Sequence, residues 1–233
     1  SVNPEGRPTA HDLADNLQTL LVAPEPKNLE LPDPEYWDED MVIPFQNSRY
    51  KILNRLGKGG IGQTFKVVEV DIHSEELYGT YVAKVIRYVE DGEKALKAYR
   101  KARAHTTHAY LSVIHEIAPA WEANRFVSLM KWVEGMPLND LIGVLPLHVE
   151  EIGEESTEDL VLRWLVDLCS ALGAFHDHGL VHGDVSPKNI IVYEGKVVLT
   201  DYDTVASIGQ KSSGGNPFYA SLAVEQGNSC AAA

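Results

Sequence analysis

Three β-patterned runs around a glycine turn and one lysine limit the fold more than any other stretch of this chain. Tyr50-Lys51-Ile52-Leu53-Asn54-Arg55-Leu56 alternates loosely and runs into Gly57-Lys58-Gly59-Gly60-Ile61-Gly62. Thr64-Phe65-Lys66-Val67-Val68-Glu69-Val70 follows as a second strand. A dinucleotide-binding fold needs a helix directly after such glycines. Here β-branched residues follow, so the glycines belong to a hairpin whose amides can approach phosphate, or to a plain turn. The third run, Tyr81-Val82-Ala83-Lys84-Val85-Ile86, carries Lys84 as its one charge. A lysine in mid-strand is costly to bury unless it meets an anion, and an edge lysine reaching solvent is the alternative.

The second half has a different period. Val161, Trp164, Leu165, Leu168, Cys169, Leu172 and Phe175 recur at helical spacing, Ser156 or Thr157 can cap the helix, and Gly179 stops it. Cys169 reads as a small buried hydrophobe, and His176 and His178 as helix-end residues. Leu180-Val181 then leads into His182-Gly183-Asp184-Val185-Ser186-Pro187-Lys188-Asn189. A tight hairpin over Asn189–Tyr193 and Lys196–Leu199, with Glu194-Gly195 at its tip, ends at Thr200-Asp201. A carboxylate, an amide and a second carboxylate thus sit on loops bounded by strands. Such a set suits a site that deprotonates a hydroxyl, holds a divalent metal and handles a phosphate.

Between the two halves, a helix is expected from Asp91 to about Tyr110, with a basic face of Lys94, Lys97, Arg100, Lys101 and Arg103. Strands are expected at about 112–120 and 125–132, and Lys131–Gly135 marks the exit from the strand-rich part. Residues 1–47 differ from the rest. Leu13, Leu17, Leu20 and Leu21 share one helical face. From Glu25 to Asp40 there are seven acids against Lys27 alone. That acidic stretch is expected to be extended, either as a solvated linker or docked on the basic helix.

The formal net charge of -14 argues against a nucleic-acid partner and against docking on an anionic membrane. No apolar run has the length of a membrane span, and two cysteines form no disulfide framework. A cytoplasmic setting is the expectation.

In this order the pieces resemble the eukaryotic-type, or Hanks-type, protein kinase family, in a divergent bacterial-looking serine/threonine branch. The resemblance covers about residues 48–221. It implies an α+β, protein-kinase-like bilobal fold with an antiparallel-sheet N-lobe over 48–134 and a mainly helical, incomplete C-lobe over 135–233. It implies ATP and Mg2+ as cofactors and a protein as substrate. Gly57, Gly59 and Gly62 would cover the phosphates, and Lys84 would pair with them. Val82, Met130, Lys131, Trp132, Val133 and Ile191 would line the adenine pocket. Asp184 would take the hydroxyl proton, Lys188 would supply the loop's cation, and Asn189 and Asp201 would hold the metal. His182 would be a packing residue. Gly215–Ser221 resembles the segment that receives a peptide.

Several positions depart from the family's pattern. Gly183 replaces an arginine, which implies activity without phosphorylation of the activation segment. Asp203 replaces a glycine and is expected to reduce that turn's freedom. The family expects a helix glutamate as partner of Lys84, and Glu93 is the nearest candidate. The chain stops just after the substrate-receiving segment, so a fragment of a larger polypeptide with additional domains is expected, the alternative being a reduced kinase whose residues 9–23 helix covers part of the exposed core. A small-molecule phosphotransferase of the aminoglycoside kinase type and a nucleotide-binding pseudokinase scaffold are the alternatives.

Overall fold

The computed structural model describes residues 32–210, apart from 46–47, 60–61, 72–73, 75, 106, 121–124 and 154–155, together with residues 218–219. The apolar pattern at Leu13–Leu21 and most of Gly215–Ser221 lie outside the described residues.

Six strands form an antiparallel sheet in the order β1-β2-β3-β4-β6-β5. They are β1 (Val42–Phe45), β2 (Ser48–Lys58), β3 (Gly62–Val70), β4 (Leu77–Ile86), β5 (Ile114–Ala120) and β6 (Arg125–Lys131). Successive side chains of a strand point to opposite faces. On β4, Ala83 and Val85 therefore enter one core with Trp37, Ile43, Phe45, Ile52 and Phe65. Ile86, two residues beyond Lys84, enters the other core, against helix α1 (Val89–Arg103). Helix α1 presents Ala95, Ala98, Tyr99 and Ala102 to the sheet. Its first turn is acidic and its last turn basic, as the helix dipole favours.

The upper lobe begins earlier than residue 48. Strand β1 pairs with β2, and Trp37 is 2% exposed beneath the sheet. An acidic, proline-rich composition masked this strand, because four apolar residues give too little alternation to read. Helix α1 also ends at Arg103, short of Tyr110. Within the described part, the acidic segment docks away from the basic face of α1. Glu35 pairs with Arg87 at 2.5 Å and Asp33 with Arg125 at 2.9 Å. Trp37 Nε1 donates to the Pro32 carbonyl at 2.8 Å, which fixes the indole while its ring fills the core.

The lower lobe hangs from the end of β6. It contains β7 (Met136–Pro137), α2 (Leu145–Glu151), α3 (Thr157–His176), β8 (Leu180–Val181), β9 (Ile190–Tyr193), β10 (Lys196–Leu199) and β11 (Ala206–Ser207). Ser156 caps α3 by accepting from the Asp159 amide. Leu160, Trp164, Ala171 and Phe175 bury the inner face of α3. Cys169, expected to be buried, is exposed. Leu165 is also half exposed, because α3 carries apolar residues on two faces and only one is covered among the described residues. Strands β9 and β10 form the expected hairpin, with Glu194 and Gly195 both at positive φ as a two-residue primed turn requires. The fold is thus an α+β kinase-type arrangement, with a curled antiparallel sheet above and a lower lobe built around α3.

Candidate active site

The glycine turn is a hairpin. The Gly59 amide donates to the Gly62 carbonyl at 2.9 Å, and Lys58 pairs with Gln63 across β2 and β3. Among the described glycines of the turn, Gly62 alone is demanded by packing, since a Cβ there would lie 2.2 Å from the Val85 carbonyl oxygen. Gly57 and Gly59 have open space around them and are exposed, so their lack of side chains leaves the backbone accessible. A cavity of about 40 Å³ borders Gly59 and Gly62 on the side of Val85, together with Asp33, Glu35, Arg87 and Arg125. It lies behind the hairpin, on the face opposite Lys84, and is a gap beside the docked N-terminal segment.

Lys84 meets anions and is not the edge lysine reaching solvent that was the alternative. Its ammonium lies 2.6 Å from Asp201 Oδ1 and is also paired with Asp203 Oδ2. Its side chain is only 15% exposed. Burial opposes its charge, but the two carboxylates raise its pKa above the ordinary lysine value. Burial likewise pushes the Asp201 carboxyl up, and Lys84 holds it below the ordinary carboxylate range. Asp203 is raised, by burial first and by Asp201 beside it, against the pull of Lys84. Glu93 is not the partner of Lys84. It is exposed in the first turns of α1 and faces away from the sheet. Helical position decides this, because Glu93 precedes by two residues the first alanine that α1 turns inward.

The lower loop is organised by backbone geometry. Gly183 has φ 87, a conformation that disfavours any side chain. His182 is 1% exposed and packs edge-on to Phe175 and Tyr202. Its Nδ1 accepts from the Asp184 amide at 3.3 Å, so its other nitrogen carries the proton shared with the Thr200 carbonyl at 3.1 Å. Burial lowers its pKa and keeps it neutral. His182 is therefore a packing and orienting residue. The Asn189 amide donates to both the carbonyl and Oδ2 of Asp184, each at 2.9 Å. Lys188 Nζ lies 3.2 Å from the same Oδ2. Asp184, Lys188 and Asn189 are thus one hydrogen-bonded unit.

Asp201 itself has φ 65, a left-handed conformation uncommon for a side-chain-bearing residue. The freedom expected to matter at Asp203 is taken up here instead. Tyr202 anchors the turn. Its hydroxyl accepts from Ser112 Oγ at 2.9 Å and lies 2.8 Å from the Ser112 carbonyl, which ties the segment to the approach of β5.

A metal fits these residues in one manner. Among the described residues no three His, Cys, Asp or Glu side chains converge as a protein-only cage would. With its nitrogen committed to Asp184, Asn189 offers an amide oxygen, and Asp201 offers a carboxylate. One amide and one carboxylate suit a hard cation whose remaining ligands are phosphate and water. Toward an adenine-sized ligand, Val82 pairs in register with Met130, which is 6% exposed at the end of β6. Lys131 is exposed, and the ring of Trp132 is covered by the Lys66 ammonium at 4.0 Å. Val133 and Ile191 are half-buried. Sequence reasoning missed Asp203 as a member of the site. The signal was its place two residues after Asp201, on the same turn.

A two-lobed fold with a lysine–aspartate pair facing an Asp–Asn loop defines a phosphotransfer-type architecture. Residues 50–226 match the protein kinase domain family, and the chain belongs to it. It is 27% identical over 177 residues to "Serine/threonine-protein kinase C" of Synechocystis, covering 71% of this chain and 31% of that protein. It is 24% identical over 180 residues to "Serine/threonine-protein kinase PknD" of Protochlamydia amoebophila, covering 74% and 18%. It is 24% identical over 166 residues to "Serine/threonine-protein kinase PrkC" of Bacillus subtilis, covering 70% and 24%. The chain therefore spans less than a third of the length of each of these relatives.

Proposed function

We propose that this chain transfers the γ-phosphoryl group of ATP to serine or threonine hydroxyls of a protein. The observation that carries the reading is the hydrogen-bonded unit of Asp184, Lys188 and Asn189 below the Lys84–Asp201 ion pair. Asp184 accepts the proton of the substrate hydroxyl. Its carboxylate is only 10% exposed and is oriented by the Asn189 amide, which leaves little conformational search before proton transfer. Lys188, on the same oxygen, balances charge at the acceptor hydroxyl. Lys84 binds α- and β-phosphate oxygens, and the open backbone at Gly57 and Gly59, with Gly62, covers the phosphates from above. Val82, Met130, Lys131, Trp132, Val133 and Ile191 receive the adenine. Asn189 and Asp201 would hold Mg2+, whose charge offsets that of the phosphates.

Relatives named as serine/threonine-protein kinases favour a protein substrate over an aminoglycoside-like one. Further domains are proposed from their greater length. A cytoplasmic setting is proposed from the two cysteines, which make no disulfide framework. Among the described residues, no helix is long and apolar enough to cross a membrane. Gly183 leaves no guanidinium on the loop, so activity is independent of phosphorylation of the activation segment.

The test is Asp184→Asn, assayed for phosphate transfer to protein and for nucleotide binding. Transfer should fall by about 10²–10⁴-fold, the range of a general base, with ATP affinity little changed. Full activity in Asp184→Asn would overturn the mechanism. A scaffold that binds nucleotide without transfer is the second reading, favoured by the lack of an α1 carboxylate at Lys84. Wild-type chain that is stabilised by ATP yet transfers nothing would establish it.

A further inference from the structure

The two carboxylates on Lys84 have different surroundings, and the difference assigns them different tasks. Asp201 is 29% exposed and opens toward the cleft, whereas Asp203 is 16% exposed. Behind the lysine the wall is polar. Ser128 is the register partner of Lys84 on β6, and Tyr99 is the one inward residue of α1 with a polar atom. The hydroxyls of Ser128 and Tyr99 and Oδ1 of Asp203 are all buried without a completed hydrogen bond. The Tyr99 hydroxyl interacts with both Ser128 and Asp203. The Tyr99 hydroxyl can turn its proton toward that oxygen. Asp203 thus spans the gap, with one oxygen toward this wall and the other on Lys84. Its neighbours fix its backbone: Tyr202 through Ser112, and Thr204 by donating to the His182 carbonyl at 2.8 Å.

We propose that Asp203 is the positioning residue of Lys84, supplying from the activation segment the carboxylate that α1 lacks, and that Asp201 is thereby left to a cation. The inference rests on the reading of the cleft as a nucleotide site. An ammonium and a cation compete for Asp201, since both seek its oxygens. A lysine held by Asp201 alone would lose its anchor when the cation arrives. With Asp203 behind it, Lys84 keeps a counter-ion while reaching phosphate. One lysine against two aspartates also leaves one surplus negative charge, which a divalent cation offsets.

The experiment is a double-mutant cycle in the full chain, with Asp203→Asn made alone and with Lys84→Met. ATP affinity is measured calorimetrically in chelator and again in Mg2+, alongside kcat, KM and the melting temperature. Asp203→Asn should weaken metal-free ATP binding by about tenfold or more with Lys84 present, and by less than about twofold with Lys84→Met. Asp201→Asn should instead lose chiefly the gain in affinity that Mg2+ provides. Equal losses in both backgrounds, or parent-like affinity in Asp203→Asn, would overturn the proposal. If Asp203→Asn does not melt cooperatively, Asp203→Glu, which keeps the charge but displaces it, replaces it in the cycle under the same criteria. A parent chain that binds ATP and obeys the cycle but transfers no phosphate would sink the kinase reading and leave this one standing. A parent chain that binds no ATP would sink both.

Discussion

The upper sheet and helix α3 are both rich in apolar residues but are covered differently. One face of the sheet closes over a core that Trp37 and the curled edge strand β1 complete, and α1 covers the other face along β4, β5 and β6. Helix α3 buries Leu160, Trp164, Ala171 and Phe175, while Leu162, Leu165 and Val166 remain 59%, 51% and 68% exposed. With Cys169 these residues recur at i, i+3, i+4 and i+7, which is a second helical face. Apolar periodicity shows that a face exists. It does not show whether anything covers it.

The largest effect should come from opening the sealed side. Trp37→Ala removes an indole that is 2% exposed, tilted against Phe65 with ring centroids 5.1 Å apart, and hydrogen-bonded to Pro32. The expected loss is about 3–5 kcal/mol, the range for aromatic-to-alanine changes in cores. Chemical denaturation followed by tryptophan fluorescence and by far-UV signal would measure it. A loss under about 1 kcal/mol would mean that the segment is a loosely held strap and no part of the core.

Legibility followed the same division. The glycine hairpin, Lys84, the α3 cap and the His182–Asn189 loop were readable because each depends on local chemistry. A tight hairpin favours glycines, an N-cap favours a short side-chain acceptor such as the Ser156 hydroxyl, and the Asp184 carboxylate has an orienting amide five residues on. What could not be read depends on coverage and on pairing across the chain. Strand β1 and Trp37 were hidden by acidic neighbours, although a lone tryptophan beside short apolar runs was a usable signal. The exposure of Cys169 could not be seen, because its spacing fits the helix equally well with or without a covering layer. Asp203 was misread as a restriction on the turn, since only three-dimensional contact places it on Lys84, 119 positions away.

A smaller effect is expected at the tie between lobes. Tyr202→Phe removes one hydroxyl and leaves the Ser112 hydroxyl and carbonyl buried without that partner. The expected cost is about 1–2 kcal/mol, the penalty for an orphaned buried polar group. Replacing Ser112 with Ala in the same chain should recover part of it, because an unsatisfied donor is then removed. A fully additive double variant, measured by urea midpoint, would show that the two residues do not act together.

A second tie is sensitive to acid. His105, just beyond α1, stacks at 3.7 Å on His178, just beyond α3. Burial first, and then His178, lowers the pKa of His105 below the ordinary imidazole value. A base whose folded pKa is depressed binds its proton more readily when unfolded, so stability is lost as pH falls through the ordinary value of about 6.5. His105→Asn should flatten the melting temperature between about pH 7 and 5 relative to the parent. An unchanged slope would mean that the stack is incidental to how the lobes are joined.

The smallest effect should be on the uncovered face of α3. Leu165→Ser replaces an apolar side chain that is already half in water, so little transfer free energy is lost. Serine is a weaker helix former than leucine, which costs a few tenths of a kcal/mol. The net change should stay within about 0.5 kcal/mol, as for surface positions generally. Self-association at high concentration should fall, because three exposed aliphatic side chains and a thiol form one adhesive stripe. The parallel change on the inner face, Leu160→Ser, supplies the scale, because Leu160 is fully buried and introducing a hydroxyl there leaves both a cavity and an unpaired polar group. If Leu165→Ser proved nearly as damaging as Leu160→Ser, the two faces would be energetically alike. Residues of this chain outside 32–210 would then have to lie against α3, and its contrast with the sealed sheet would disappear.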